Sequence, residues 1–506
     1  MAPEYVIAID IGTQSTRAAL VDGEGSIQDI AASPLDLHAP RPGWAEQDPG
    51  QWWDTTVANL AAVMERNPYA RIEAVGVGAQ MHSVVGCDAA GAAVTDRAAI
   101  WSDKRSLEQV TEFLANPDAE YLSRLAGNRP LPAWAGFKMA WLRSRLPAAY
   151  EAAACLLVAK DYLNLRLCGA MATDPSEASG SFLCDAATGA WSPELLAAVG
   201  VDRSKLPEIV DSAAVIGTVG ADVAHRTGLT AGTPVVAGAG DMLCQLLAAG
   251  ITITGRVGLV TGTASIMAAA AGAASSDQRV MNLRSASGGW VWFGISDAAG
   301  QAFRWSVDLF RGESATAAEE PAAVDFDAAT KLAASVEPGS GGLLFFPYLL
   351  GERTLGSAQA RASFVGASLG HDRAHFIRAV LEGITLEDRR ALECICPDGV
   401  QGAVRCTGGG AGSDLWNQMR ADIFGLPVQT MALTEGGILG AAILAAVGAG
   451  WYRDAAAAAE HMVRPADVWA PQPDAAAAYQ QVYRRFCAVH DALTPVWAQW
   501  SDGERS

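Results

Sequence analysis

Four short segments of this chain combine residue types that can move protons or hold phosphates with backbones that bend sharply. The first is Asp10-Ile-Gly-Thr-Gln-Ser-Thr-Arg17. A carboxylate that ends an apolar run can hold Mg²⁺ directly or through water, and Gly12 and Thr13 let the backbone come close to phosphate oxygens. The same residues also suit a plain hairpin turn whose Asp and Thr side chains bond their own backbone. It is not a Walker loop, since nothing fits GxxxxGK[ST]. The second runs from Thr233 through Ala-Gly-Ala-Gly to Asp241. A strand there enters a helix that begins near Asp241, where the helix dipole keeps a carboxylate ionised and ready to accept a proton from an alcohol. An ordinary N-cap would look the same. The third, Cys406-Thr-Gly-Gly-Gly-Ala-Gly-Ser-Asp414-Leu-Trp-Asn417, has the strand, glycine cluster and helix start of a nucleotide cradle, or of tight packing. It does not match the dinucleotide pattern GxGxxG with an acidic residue ~20 positions on. The fourth, Gln80-Met81-His82-Ser83 with the later Trp101-Ser-Asp103, offers hydrogen-bonding types suited to a polyol, although a lone His beside a Met is also a common loop residue. No Ser/His/Asp triad or HExxH motif is present, and seven histidines leave little for hydrolytic metal chemistry.

These segments need a scaffold, and the alternation of strand-like and helical runs predicts an α/β one. Val6–Ile9 and Arg17–Val21 lie too close for a βαβ crossover and read as a hairpin. Further buried strands are expected at Ala74–Val77, Thr233–Ala237, Arg256–Val260 and Ala403–Thr407. Helices are expected at Trp52–Arg66, Arg373–Glu393, Asp414–Phe424 and Gly437–Val447. A second hairpin is predicted over Arg256–Ala270, and its turn, Gly262-Thr263-Ala-Ser265, repeats the Gly-Thr-x-Ser of residues 12–15. That repeat is either an internal duplication or chance. Residues 311–340 read as a surface helix plus loop, and the chain after Trp451 as an Ala-rich helical appendage.

The chain has 506 residues, half of them hydrophobic and 18% charged, which excludes general disorder and exceeds one ordinary core. Thirty-six basic against 55 acidic residues give a net charge of −19, which argues against nucleic acid or an anionic membrane as partner. The nine cysteines form no CxxC pair and read as reduced thiols of a cytoplasmic protein. The N-terminus reads as a strand and not a signal peptide, and the apolar stretch from Gly437 to Trp451 is too short to span a membrane.

Together the motifs resemble the FGGY family of carbohydrate kinases over nearly the whole chain. The DIGTQST, GDM (240–242), TGTAS and CTGGGAGSDLWNQMRADIFG segments stand in that family's order. So does the stretch from Ala362-Ser-Phe-Val-Gly366 to His375-Phe-Ile-Arg-Ala-Val-Leu-Glu382. The resemblance implies two actin-like, ribonuclease-H-like domains flanking a deep cleft: residues 1–250 for sugar, 251–450 for ATP, and 451–506 as a helical tail. It implies ATP with Mg²⁺ and phosphorylation of a terminal hydroxyl of an open-chain sugar. Asp241 would be the catalytic base and Asp10 the Mg-associated carboxylate, bridged by water in the sense that Mg²⁺ keeps its hydration. Gln80, Met81 and His82 would touch the sugar with Asp241, and Gly12, Thr13, Gly262, Thr263, Gly409, Gly410 and Asn417 would serve ATP. Pro42–Asp48, Trp52-Trp53 and Gln80–His82 are similar to the family's xylulose-phosphorylating members, whereas Ser83 and Trp101-Ser102-Asp103 lean toward gluconate kinases. Another polyol or ketose, and more remotely an actin-like ATPase without sugar activity, complete the alternatives. A homodimer is compatible with all of them.

Overall fold

The computed structural model describes residues 4–310, 325–352, 359–432 and 435–500. Strand β1 (Glu4–Ile11) is buried from Val6 onward, as its unbroken Val-Ile-Ala-Ile run requires of a strand covered on both faces. The chain turns back through residues 12–15 into β2 (Ser15–Val21), with Asp10 opposite Arg17, and then into β3 (Ile27–Pro34). The helix Pro49–Arg66 starts with Pro at its first position and Asp48 capping the Gly50 N–H, and carries the chain to β4 (Arg71–Ala79), parallel to β1. Strands β5 (Val215–Thr218) and β6 (Pro234–Val236) complete the order β3-β2-β1-β4-β6-β5, and the short β7 (Ala239–Gly240) extends beside β4.

The second half builds the same sheet again. Strands β8 (Val257–Thr261), β9 (Ser265–Ala271), β10 (Met281–Arg284), β11 (Trp290–Ser296), β12 (Val404–Thr407), β13 (Val428–Met431) and β14 (Pro465–Trp469) lie in the order β10-β11-β9-β8-β12-β13-β14. From β11 to β14 the sequence of antiparallel and parallel neighbours matches that from β3 to β5. The outermost strand is reached differently: β5 precedes β6, whereas β14 follows β13. The duplication suggested by two short turns therefore extends through six strands. The predicted α/β class and the two sheet-bearing halves are those of the actin-like, ribonuclease-H-like fold.

The segment 451–500 departs from the expected appendage, and residues 501–506 lie outside the described residues. Tyr452 donates its hydroxyl to the Gly23 carbonyl, β14 closes the second sheet, and the helix Pro473–Trp497 drives Tyr479, Tyr483, Phe486 and Trp497 into the second core. The alanines at 475–478 are exposed or half-buried, while these aromatics, spaced as one helical face, carry the burial of that helix. Of the 311–340 segment, Phe326–Ala334 is a helix capped by Asp325, and residues 311–324 lie outside the described residues.

The apolar stretch that begins at Gly437 forms the helix Gly436–Gly448, apolar on all sides because it is covered on all sides. It lies on β1 and β4 of the first sheet and packs against the helix Asp241–Ala248. Gly440 backs onto the Cys244 carbonyl so closely that a Cβ there would collide with it. Among the described residues no helix is long and apolar enough to cross a membrane. Phe486 is fully buried and stacks on Phe346 with ring centroids 4.5 Å apart. Phe486→Ala is expected to destabilise the protein by about 3–5 kcal/mol in a urea titration, whereas a detachable tail would give a change near zero.

Candidate active site

Asp10 is the penultimate residue of β1, and its carboxyl is buried against Gly437, the second residue of the 436–448 helix. A Cβ at Gly437 would stand 2.7 Å from the Asp10 Cγ, so this position has room for the carboxylate and no side chain. Arg17, opposite Asp10 in the hairpin, bonds Glu435 at 2.6 Å and reaches Asp10 at 3.9 Å. Burial pushes the Asp10 carboxyl up to about 6; Arg17 opposes this and Glu435 adds to it. Both flanking elements, Glu435 and Gly437, come from the second half of the chain.

Asp241 opens the helix Asp241–Ala248 and is partly exposed. Its Oδ1 accepts the Met242 N–H at 2.7 Å. Asp10, Gly78 and Ala239 are in register across β1, β4 and β7, which puts the two carboxylate-bearing segments about 10 Å apart along the sheet. Burial first, and then the charge of Asp10, raise Asp241 to about 7. The two acids thus sit on nearby elements of one sheet, not on opposite domains.

The residues just after β4 bring the polyol-suited side chains to the same place. Gln80 is buried; its Nε2 donates to Gln47 Oε1 at 2.5 Å, and its Oε1 has no partner among the described residues. Met81 packs over Gly240, the residue before Asp241, where a Cβ would come within 2.5 Å of Met81 Cγ. His82 lies edge-on to Trp134 at 5.0 Å. Gln47 also donates to the Thr13 carbonyl at 2.7 Å, and Trp101 donates to Thr13 Oγ1 at 3.0 Å, so the first Gly-Thr turn and the Gln80 segment are tied together. Ser83 and Asp103 turn inward instead. Ser83 Oγ accepts the Ala159 N–H, and Asp103 accepts from Ala45 N and Arg105.

In the second half, Gly262, Thr263 and Gly409 are exposed and Gly410 half-buried. They are brought together because the glycine loop rides on Thr261. Gly408, at φ +81°, leaves only 2.5 Å between a notional Cβ and the Thr261 carbonyl, so no other residue fits that turn. Two expectations change. The N–H groups of Gly12 and Gly262 close their own turns on Ser15 O and Ala264 O, both at 2.9 Å, and are not phosphate donors. Asn417 is fully buried, giving its amide to the Ala411 carbonyl and accepting from Arg420, so it shapes the loop from beneath.

The loop has further supports that the motifs did not reveal. Arg420 is buried and bonds Thr261 Oγ1, the Gly410 carbonyl and Asn417 Oδ1 at 2.9 to 3.0 Å. Its place three residues after Asn417 on the same helix face was the available signal. Asp388, from the helix Arg373–Ile395, accepts Ser265 Oγ at 2.8 Å at the other end of that turn. Gly300 and Gln301 hold the Gly262 and Thr263 carbonyls, each at 3.1 Å.

The sequence profile of the FGGY family of carbohydrate kinases, N-terminal domain, matches residues 5–248, and that of its C-terminal domain matches residues 254–449. The chain belongs to this family. It is therefore a carbohydrate kinase. A xylulose kinase from Lactococcus lactis subsp. lactis is 30% identical to it over 96% of both chains. A gluconokinase from Bacillus licheniformis is 28% identical over 99% of this chain and 98% of its own. The crystal structure of xylulose kinase from Rhodospirillum rubrum, 33% identical, superposes with a TM-score of 0.90 over 98% of this chain and all of that one. In this FGGY chain the first turn follows directly on Asp10, and the second carries the glycine loop through Thr261.

The raised acids have a consequence for stability. An acid whose pKa is higher folded than unfolded stabilises the fold fully below its unfolded value near 4, and that contribution is lost as pH rises through the folded value. Asp241→Asn cannot ionise. It is expected to raise Tm, by ~2–5 °C at pH 8 and by less at pH 5, in paired thermal scans of the ligand-free protein.

Proposed function

We propose that this kinase transfers the γ-phosphoryl group of MgATP to a terminal hydroxyl of an open-chain ketose, converting D-xylulose to D-xylulose 5-phosphate. The observation that carries the reading is Asp241: partly exposed at a helix N-terminus, beside Asp10, with its carboxyl near 7 and Met81 packed next to it. A base of that strength at neutral pH takes the proton of an attacking hydroxyl without binding it permanently. Because Oδ1 is held by the Met242 N–H, Oδ2 is the proton acceptor. Gln80 Oε1, buried and unpartnered among the described residues, suits a sugar hydroxyl donor.

Asp10 and Glu435 offer carboxylate oxygens of the kind that would hold Mg²⁺ through its water shell, although no group of three or more ligating side chains is built for a metal among the described residues. When bound with the nucleotide, Mg²⁺ neutralises charge on the phosphates. Arg17 stands between Asp10 and Glu435 and adds a protein cation at the same place. Thr13, Gly262, Thr263, Gly409 and Gly410 would line the path of the phosphates, with Asn417 and Arg420 holding that surface in shape. The free thiols of all nine cysteines suit a cytoplasmic setting.

Gluconate is the second reading, supported by the gluconokinase relative. Against it, Ser83 and Asp103, two of the residues that leaned toward gluconate kinases, are spent on internal hydrogen bonds. A coupled assay of ADP release and product phosphorylation over xylulose, ribulose, gluconate, fuculose and erythritol decides between them; xylulose is expected to give the highest kcat/KM. Sugar-independent ATP hydrolysis with no phosphorylated product would instead leave an actin-like ATPase. For Asp241→Asn we expect kcat to fall by roughly 10²–10⁴ with ATP binding nearly intact, and turnover at the wild-type rate would remove Asp241 from the role.

A further inference from the structure

His82 has φ of 63°, a left-handed conformation that only two other non-glycine residues share among those described. A residue with a Cβ stays there when its surroundings hold it. Here both of its peptide groups are held by buried ionisable side chains. Lys138 donates to the His82 carbonyl at 3.0 Å and to the Ala133 carbonyl at 2.5 Å, and Glu177 accepts the His82 N–H at 3.4 Å. Both side chains are about 2% exposed. Placing a lysine amine and a glutamate there is expensive, since burial drives Lys138 down to about 7 and Glu177 upward.

The ring is held as firmly as the backbone. Trp134 meets it edge to face, and beneath it lies Gly180. The backbone of Gly180, at φ −74° and ψ 0°, is open to any residue, so its conformation does not explain the glycine. Space does: a Cβ on Gly180 would stand 2.7 Å from His82 Cε1 and 3.0 Å from Nδ1. The neighbouring Ser176 Oγ accepts the N–H of Gly240, the residue before Asp241, and Ser179 Oγ accepts the Arg284 N–H on β10 of the second half. One short helix, Pro175–Ser179, thus touches the His82 backbone, the approach to Asp241 and the edge of the nucleotide-side sheet.

We propose that Gly180, Lys138 and Glu177 are positioning residues that aim the His82 ring at the sugar. Gly180 vacates the space the imidazole occupies, and the other two fix the His82 peptide groups. The inference rests on the proposed sugar-kinase reading, with His82 touching the sugar as the family resemblance implies, and names what sets its geometry. Gly180→Ala changes no hydrogen-bonding group and no charge, yet it must push the ring aside. It is expected to raise KM for the sugar on the order of tenfold or more, with kcat and KM for ATP nearly unchanged. Glu177→Leu should follow it, and Glu177→Gln, which keeps the acceptor, should recover most of the loss. The ring itself is read by ¹⁵N-imidazole NMR of the full-length protein: with seven histidines, the His82 signals are those missing from His82→Ala. Displaced His82 signals in Gly180→Ala support the seat; undisplaced signals with an unaltered sugar KM overturn it. Should Gly180→Ala fail to fold, Lys138→Met is read by the same two measurements. If His82→Ala itself keeps the wild-type sugar KM, the sugar contact fails, and the NMR result alone then decides whether Gly180 seats the ring.

Discussion

A carboxylate removed from water must regain in the protein what it loses in hydration, or its affinity for a proton rises. Asp10 and Asp241 regain little. Asp10 has an arginine at 3.9 Å that is itself engaged by Glu435, and Asp241 has one backbone N–H at 2.7 Å. Asp241 also lies within reach of the charge of Asp10. The surrounding packing holds them there. Strand β1 is buried from Val6 to Ile11, the 436–448 helix seals its end through Gly437, and Gly440 locks that helix to the one Asp241 opens. An incompletely satisfied pair of acids is a liability in a ligand-free core. In the proposed reaction it is where a metal-bound triphosphate and a hydroxyl proton would supply what the protein leaves out.

The two halves use one sheet for different purposes. Residue for residue from the turn, Val260 occupies in β8 the place that Asp10 holds in β1, since Thr261-Gly262-Thr263 follows Ile11-Gly12-Thr13. The second turn therefore carries no acid. It is stiffened from behind, by Arg420 on Thr261 and Asp388 on Ser265, and from the side by Gly300 and Gln301. The first turn is gripped in an equivalent way by the helix 49–66, with Asn59 donating to the Thr16 carbonyl at 2.9 Å. Both turns are braced by a neighbouring helix and only the first is preceded by an acid, so the duplicated scaffold is not symmetric in its side chains.

Much of this was legible in the sequence because it depends on local rules. The hairpins at residues 6–21 and 256–270, the glycine cluster before Asp414 and the helix start at Asp241 all follow from short-range periodicity and turn chemistry. What stayed hidden depends on contacts far apart in the chain. The lack of a partner for Gln80 Oε1 among the described residues is set by Gln47, and the fate of the Gly12 N–H by the geometry of its turn. Ser83 looks like a substrate contact in sequence, yet it caps the backbone of Ala159. The C-terminal segment misled for a compositional reason: its alanines dominate the count, while Tyr479, Tyr483, Phe486 and Trp497 carry the energy. The aromatic spacing was visible, but composition outweighed it.

The same electrostatics bear on the proposed preference for a neutral ketose. A carboxylate-bearing sugar brought beside Asp10 and Asp241 would need a cation to meet it. Lys138, which touches the His82 carbonyl, spends its amine on two carbonyls. Arg105 lies between Trp44 and Trp141 and bonds both Glu46 and Asp103. Releasing either would strip partners from buried groups, at a cost comparable to what a new ion pair would return. A ketose asks only for hydrogen bonds, and an unused acceptor is already in place at Gln80. In the proposed reading, the burial that raises Asp241 would therefore also disfavour an anionic acceptor.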